Sequence, residues 1–489
     1  MRTIHGITLK IVGTTLLTGI SLHAQQMPEM PSDHASTDMQ HEHQHMNGIP
    51  ANFPQMGRAQ KDPQAKLFTL EDAQKLAREF NPTLRQAEAE IRAAKARQQQ
   101  AGLYPNPRIG YTGDEIRGGS TAGGKQGFFA EQTIVTSGKL ANNKAVFSKE
   151  AQIAQLEAEE QRIRVQTAVR ISFLRVLAAQ ELLDARRGLA KIEQDSAETE
   201  RLLGNTGQAD ETEILQAEIS AHRQKLGTRM QENALLEEWG ALAAVIGAPD
   251  LPLMVVVGDL QTGWPELNEE QITEKISAES PAIRIAGSAA LRAEAEILRA
   301  KHGAIPDIEL RGGLQYNNEP IGSVPPHATG WEGLADVVVQ IPLFNHNQGN
   351  IIAAQAESER AKLELKRVAL TLRQRTTSVL DEYANAKLMA VEYHEELLPR
   401  AKKAYVLMNE EYGQMLAAYP RVIDMQRKLF QLQCEYIQSL EIVWTTGITL
   451  EGFLLTDGLE SPSPPTEIDR PVRELNLPIP EPASMLAQP

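Results

Sequence analysis

The chain is written twice, and that repeat limits what it can fold into more than any other feature. Asn81-Pro82 opens a helical run that reaches Pro107 and a strand; Ser280-Pro281 opens another that reaches Pro306 and a strand. The offset between the copies is 199 residues, at which Arg85 meets Arg284, Ala87 meets Ala286, Ala96 meets Ala295 and Ile109 meets Ile308. Each copy then passes through a second strand, a Gly-containing corner (Ser137-Gly138-Lys139; Gln348-Gly349-Asn350), a very long helix, a turn and a returning helix. A duplicated unit with this ratio of strand to helix is an architectural element, and it has to be placed before any site is sought.

The strands are clearest in the second copy. From Asp307 to Asn317, Ile308, Leu310, Gly312, Leu314 and Tyr316 alternate with Asp307, Glu309, Arg311, Gly313 and Gln315. From Trp331 to Ile341, Val337, Val339 and Ile341 alternate with Glu332, Asp336 and Gln340. About eleven residues is what a tilted strand needs to cross a bilayer. The helices are the other half: Lys139 to about Leu203 contains no Pro, and at 1.5 Å per residue it spans on the order of 100 Å. Asn350 to Tyr412 repeats that length, with only Pro399 to bend it. Helices this long belong to antiparallel coiled-coil pairs, and Ala on more than one face suits helices with neighbours on two sides.

These signals divide the chain into a signal peptide (1–24), an arm (25–66), a first repeat (67–250), a connector (251–268), a second repeat (269–457) and a Pro-rich tail (458–489). The first repeat has strands at 107–117 and 126–135 and a hairpin at 139–247; the second has strands at 307–317 and 330–343 and a hairpin at 350–455. Arg2 and Lys10 ahead of the apolar run Ile11 to Ile20, with cleavage after Ala24, describe an export signal. Cys434 is the only cysteine, so no internal disulfide forms and no N-terminal cysteine is available for acylation. A net charge of −15 argues against nucleic acid and suits a solvated or cation-passing surface.

Four strands cannot close a barrel, and an open sheet edge is not tolerated in lipid. If the strands enter a bilayer, several chains contribute to one barrel; two would give eight strands and almost no lumen, three would give twelve. The alternative left by the pattern is a soluble helical protein with an ordinary sheet.

The signal peptide, the doubled strand-strand-helix-helix unit, Tyr104-Pro105-Asn106-Pro107, Thr136-Ser137-Gly138-Lys139 and Ile423-Asp424-Met425-Gln426-Arg427 together resemble TolC-type outer-membrane efflux proteins, over roughly residues 68 to 457. The resemblance implies an α+β membrane protein with four transmembrane β-strands and long antiparallel α-helical hairpins per chain. It implies closure as a homotrimer with a 12-stranded β-barrel in outer-membrane lipid and a periplasmic α-helical tunnel. It also implies a periplasmic adaptor (membrane fusion protein) and an inner-membrane RND-type pump as partners. The turns of the two long hairpins are then the adaptor-facing, aperture-forming tips, with Gly204, Gly207 and Gly413 at the docking turns and Asp210, Arg421 and Asp424 at the gate. Some relatives place two acidic residues three apart at the second tip; this chain keeps Asp424 and has Arg421 where the first would be. A gate of Asp424 alone, an Arg421–Asp424 arrangement, and a plain solvated helix charge are the readings left open.

The arm carries the sharpest chemistry. His34, His41, His43 and His45 fall within twelve residues, interleaved with Met39 and followed by Met46, so imidazoles and thioethers can converge on one ion in a flexible chain. Thioethers favour Cu(I) or Ag(I), and imidazole with carboxylate suits Zn(II), Co(II), Ni(II) or Cu(II). The ion would be cargo; no resident cofactor is expected. No phosphate-binding loop or catalytic constellation is visible, so the chain is expected not to be an enzyme. The leading expectation is a passive duct for heavy-metal cations such as copper/silver or zinc/cobalt/cadmium. The alternatives are a drug, dye or polypeptide duct of the same fold, and a soluble periplasmic metal-binding coiled-coil protein.

Overall fold

Both repeats open with the same cap-and-proline device. The computed structural model describes residues 67–114, 116, 124–321 and 327–461, all within one unit, Phe53–Pro489. A short strand β1 (Leu67–Phe68) leads into helix α1 (Leu70–Phe80), closed at its start by a capping box between Thr69 and Asp72. Helix α2 (Pro82–Ala101) starts at Asn81, which is fully buried: its Oδ1 accepts from the Thr83 amide at 2.9 Å and its Nδ2 donates to the Val245 carbonyl at 2.7 Å. One side chain thus caps a helix and ties it to a distant one. Strands β2 (Arg108–Asp114) and β3 (Lys125–Ile134) follow. The chain then reverses through Ser137 (φ 56°) and Gly138 (φ 64°) into α3 (Lys139–Asn205, 67 residues), and α4 (Glu211–Ile246) returns beside it.

The connector expected at 251–268 contains a strand, β4 (Val255–Val256), which pairs in parallel with β1. The second repeat supplies α5 (Glu269–Glu279), α6 (Pro281–Gly303), β5 (Ile308–Ile321) and β6 (His327–Val339). Strand β6 stops short of residue 343, where the sequence pattern placed its end, because Pro342 has no N–H for a ladder. Asn347 takes the left-handed role of Gly138 (φ 61°) at the corner before α7 (Gln348–Glu392). The long second helix is not simply bent at Pro399: a π turn, Tyr393–Leu397, interrupts it just before that proline and relieves the clash an unbroken ladder would have there. Helices α8 (Leu398–Gly413) and α9 (Tyr419–Glu451) complete the second hairpin.

Helix α3 organises the helical part. Its first half lies between α2 and α6, where small residues permit close approach: Ala94 meets Ala151 and Ala154, and across the next seam Ala290 and Ala293 meet Ala361 of α7. Its second half lies between α4 and α9. The layer is therefore α2-α3-α6-α7 next to the strands and α4-α3-α9-α7/α8 beyond the waist. At the waist Val169, Val176, Leu242, Ile246, Leu260, Leu440 and Val443 are essentially inaccessible. The indoles of Trp239 and Trp444 donate to the Leu251 and Leu260 carbonyls at 3.0 and 2.9 Å. No described helix is long and apolar enough to cross a membrane.

The four long strands form one antiparallel sheet in the order β2-β3-β5-β6. Its register sorts the side chains cleanly. Ile109, Phe128, Leu314, Trp331 and Val337 share one face and are 62–81% exposed. Two edge-to-face aromatic pairs lie there, Tyr111–Phe128 at 5.7 Å and Tyr316–Trp331 at 5.5 Å. Among the described residues, both outer strands, β2 and β6, have an unpaired edge.

Candidate functional site

The polar face of the sheet is a site that only strand register reveals. Arg108 stands opposite Glu131, Glu131 opposite Arg311, and Arg311 opposite Asp336, so charges alternate across all four strands at one level. Arg108 donates to Glu131 at 3.1 Å. The Arg311 guanidinium lies 3.9 Å over the Phe129 ring. That ring is laid flat by missing side chains: a Cβ on Gly110 would fall 2.5 Å from it. Two levels removed, Glu332 accepts from Gln315 at 3.2 Å and Asn317 at 2.8 Å.

At the far end of the molecule are the hairpin tips. Asp210 is the N-cap of α4: its carboxylate accepts from the Glu213 amide at 2.8 Å while Glu213 reaches back to the Asp210 amide at 3.1 Å. This capping box accounts for Asp210 without a gate. Gly207 (φ 75°) closes the end of α3, with the Gln208 amide bonding the Leu203 carbonyl at 2.9 Å. Gly204 lets Ile214 pack close, since a Cβ there would fall 2.4 Å from its Cδ1 and displace the end of that side chain. At the second tip the left-handed residue is not Gly413, which is the last residue of α8, but Met415 (φ 61°), with the Leu416 amide bonding the Glu411 carbonyl at 2.9 Å. Met415 and Leu416 are 94% and 73% exposed, an apolar point that the glycine pattern did not indicate.

Arg421 and Asp424 are not ion-paired with each other among the described residues; Asp424 pairs with Lys428 at 2.9 Å, one turn on, with both side chains more than half exposed. The strong contact lies beside them. Arg427 forks onto Glu193 of α3 at 2.7 and 3.1 Å, and the Glu193 side chain is only 2% exposed. Arg427 ends the Ile423–Arg427 motif, but its partner lies on α3, 234 residues away, where no local pattern points. Tyr419 and Tyr412 add a ring contact at 5.5 Å that ties α9 to α8.

The waist holds a half-buried acid. Glu181 of α3 is pushed up to about 7 by burial, then by the carboxylates of Asp259 and Asp184. Burial, then the carboxylates of Glu181 and Asp259, push the Tyr436 hydroxyl up to about 12, and that hydroxyl meets His394 Nδ1, in the π turn, at 3.2 Å. The folded pKa of Glu181 exceeds its unfolded value of about 4.5, so the native state holds the extra proton between those limits. Stability contributed by this group is therefore present below about 4.5, lost as pH rises toward 7, and flat above. Glu181→Gln is expected to stabilise the protein by about 1–2 kcal/mol at pH 8 and by nothing near pH 4, checked by unfolding at both.

Cys434 is partly buried, and burial raises its thiol pKa. His34, Met39, His41, His43, His45 and Met46 lie outside the described residues. Among those described, no group of three or more His, Cys, Asp or Glu is arranged to hold a metal.

With this geometry in view, residues 74–248 match the family model described as outer membrane efflux protein. The chain is 22% identical over 387 residues to the cobalt-zinc-cadmium resistance protein CzcC of Cupriavidus metallidurans, covering 79% of this chain and 90% of that one. Among solved structures it superposes on CusC, described for its folding and transmembrane channel formation, with a TM-score of 0.64 at 16% identity, covering 79% and 91%. It superposes on the outer membrane protein VceC of Vibrio cholerae with a TM-score of 0.61 at 16% identity, covering 80% and 97%. The matched segment holds the first repeat's helices and both its strands, and the second repeat runs through the same elements in the same order. The chain has the fold of these channel structures, and its residues 74–248 match the outer membrane efflux protein family.

Proposed function

We propose that three copies of this chain close the four-stranded sheet into a twelve-stranded outer-membrane barrel continued by a periplasmic helical tunnel. This duct passively conducts heavy-metal cations handed over by a periplasmic adaptor and an inner-membrane RND-type pump. The sheet carries the reading: one face is apolar and exposed, the other is charged, and both edges are unpaired. Lipid supplies no hydrogen-bond partners for a strand edge, whereas another copy supplies a matching one. The edge helices support the same assembly. Helix α4 exposes Leu215, Ile219, Leu226 and Met230, and α7 exposes Ile352, Leu363, Leu370 and Leu388, each 50–69% accessible in the single chain. Apolar seams this long on helices with a neighbour on one side only await a partner helix.

The cargo is assigned from two sources, the His/Met arm (His34, Met39, His41, His43, His45, Met46) and a relative named for cobalt-zinc-cadmium resistance. Accumulation of Co, Zn, Cd, Cu, Ag and an efflux dye would be compared in source cells with the gene, without it, and with residues 25–66 deleted. Selective retention of one or two metals without the gene is the expected result, and a partial defect in the arm-deleted strain gives the histidines a role in capture. Dye retention without metal retention sinks the metal assignment. Extraction by osmotic shock as a monomer, rather than by detergent as a trimer, sinks the duct itself.

A further inference from the structure

Where the strands become helices, this acidic chain contains almost no acid. Residues 98–107, 135–149, 297–306 and 340–356, which are the four crossings between sheet and helices, contain no Asp or Glu, although the whole chain carries a net −15. Asp307, at the start of β5, is neutralised by Lys139 at 2.9 Å. The basic side chains here are Lys139, Lys144, Lys149, Arg299 and Lys301, joined by the imidazoles of His302 and His346. Several are engaged: Arg299 pairs with Glu296 at 2.6 Å, and His302 meets Asn142. Lys144, Lys301 and His346 are exposed and have no ion pair among the described residues.

Two features place these three groups at one level. The Lys144 stem lies across the end of α2, since a Cβ on Gly102 would fall 3.1 Å from its Cδ. Asn347, next to His346, donates to the Ala300 carbonyl at 2.6 Å, beside Lys301. Immediately toward the strands is an apolar collar: Tyr104 60%, Ile341 70%, Leu343 69% and Phe344 92% exposed. It continues the apolar face of the sheet beyond the last ladder bond. From Trp331 to Ile341, a strand tilted about 40° rises roughly 25 Å, the height of an apolar barrel band. Lys144 lies about 7 Å further down α3 from Lys139, within the thickness of a headgroup layer.

Helix dipoles account for part of this charge only. Lys301 sits in the last turn of α6, where a cation is favourable. Lys144 sits in the second turn of α3, where a carboxylate would be preferred. The first turns of α3 and α7, which start at this level, contain no acid. A cation-bearing, acid-free belt under an apolar collar matches an anionic surface lying against hydrocarbon.

We propose that Lys144, Lys301 and His346, beneath the collar of Tyr104, Leu343 and Phe344, bind the phosphates of anionic phospholipid headgroups in the periplasmic leaflet. This rests on the reading of the sheet as a membrane barrel. The collar sits in the upper headgroup region, and the cations select phosphatidylglycerol-type over zwitterionic lipid. A basic group near an anionic bilayer changes association about fivefold, an effect diluted when averaged over the whole lipid shell.

The test uses the full-length protein reconstituted in phosphatidylcholine vesicles with and without 30% phosphatidylglycerol. The relative association of spin-labelled phosphatidylglycerol over phosphatidylcholine is measured for the natural protein and for a Lys144→Gln, Lys301→Gln, His346→Gln variant. Channel conductance in pure phosphatidylcholine is recorded for both. The expected result is a preference of about twofold or more that weakens in 0.5 M salt and is absent from the variant, with conductance equal in the two proteins. Equal preference in both proteins, or no preference in the natural one while it conducts, overturns the headgroup assignment and leaves the barrel standing. Failure of the natural protein to conduct in either vesicle overturns the barrel reading, and the proposal with it.

Discussion

Replacing Arg292 with Met is expected to cost about 3–5 kcal/mol of stability, the range for removing one partner of a buried ion pair. Arg292 of α6 is 2% exposed and points its Nη1 at Glu150 of α3, 3.4 Å away. Glu296, one turn on, is also buried and is held by Arg299 at 2.6 Å. The arrangement is not saturated: Glu150 Oε2 and Glu296 Oε2 are buried without hydrogen-bond partners. Burial already raises the Glu296 carboxyl, with its arginines opposing that shift and Glu150 adding to it. Removing the guanidinium leaves two desolvated carboxylates facing each other. Denaturant unfolding at pH 7.5 would show the loss. It is expected to shrink as pH falls, because Glu296 takes a proton more readily than an ordinary carboxylate, and to be largely recovered by adding Glu150→Gln. A loss under 1 kcal/mol would mean that water reaches this seam.

The second large effect is expected at the tips. Arg427→Ala strands the Glu193 carboxylate, which is almost wholly buried, and is expected to cost about 2–3 kcal/mol, less than a fully buried pair because Arg427 is 41% exposed. Its functional consequence outweighs its effect on stability. The fork is a direct link between α3 and α9 in the last part of the hairpins, so its loss loosens the tip and is expected to raise single-channel conductance in planar bilayers. Arg427→Lys keeps the charge but loses the two-pronged geometry, and an intermediate conductance is expected. The neighbouring Asp424–Lys428 pair, exposed and one turn apart, is worth about 0.3–0.5 kcal/mol. If Asp424→Ala opened the channel and Arg427→Ala did not, the carboxylate gate implied by the family resemblance would be the better account.

These two residues show where sequence reading ran out. Arg292 and Glu150 are 142 residues apart, and Arg427 and Glu193 are 234 apart. Nothing in composition or period links either pair, because each forms where two helices distant in sequence happen to pack in phase. The second tip is a local example of the same limit. Glycine is the cheapest residue at positive φ, so the glycine at 413 was the natural candidate, yet the turn closes two residues later through Met415. Hydrogen bonding of the turn as a whole selected the position, at a cost in strain that an exposed tip with an apolar point accommodates.

What the sequence determined by itself is everything with a short period. Duplication, strand alternation, the length of the helices, and the caps at Asn81 and Asp210 are written in neighbouring residues, since backbone conformation depends on local sterics and on side chains within a turn or two. The tertiary structure alone decided the rest. Strand register turned scattered Arg108, Glu131, Arg311 and Asp336 into a single row, and a one-residue slip would have sent each to the other face. Helix packing buried Glu193 and Arg292, and half-buried Glu181, among more than a hundred other charged residues of similar local context. Desolvation, which gives a charge its energetic weight, depends on neighbours that local sequence does not specify.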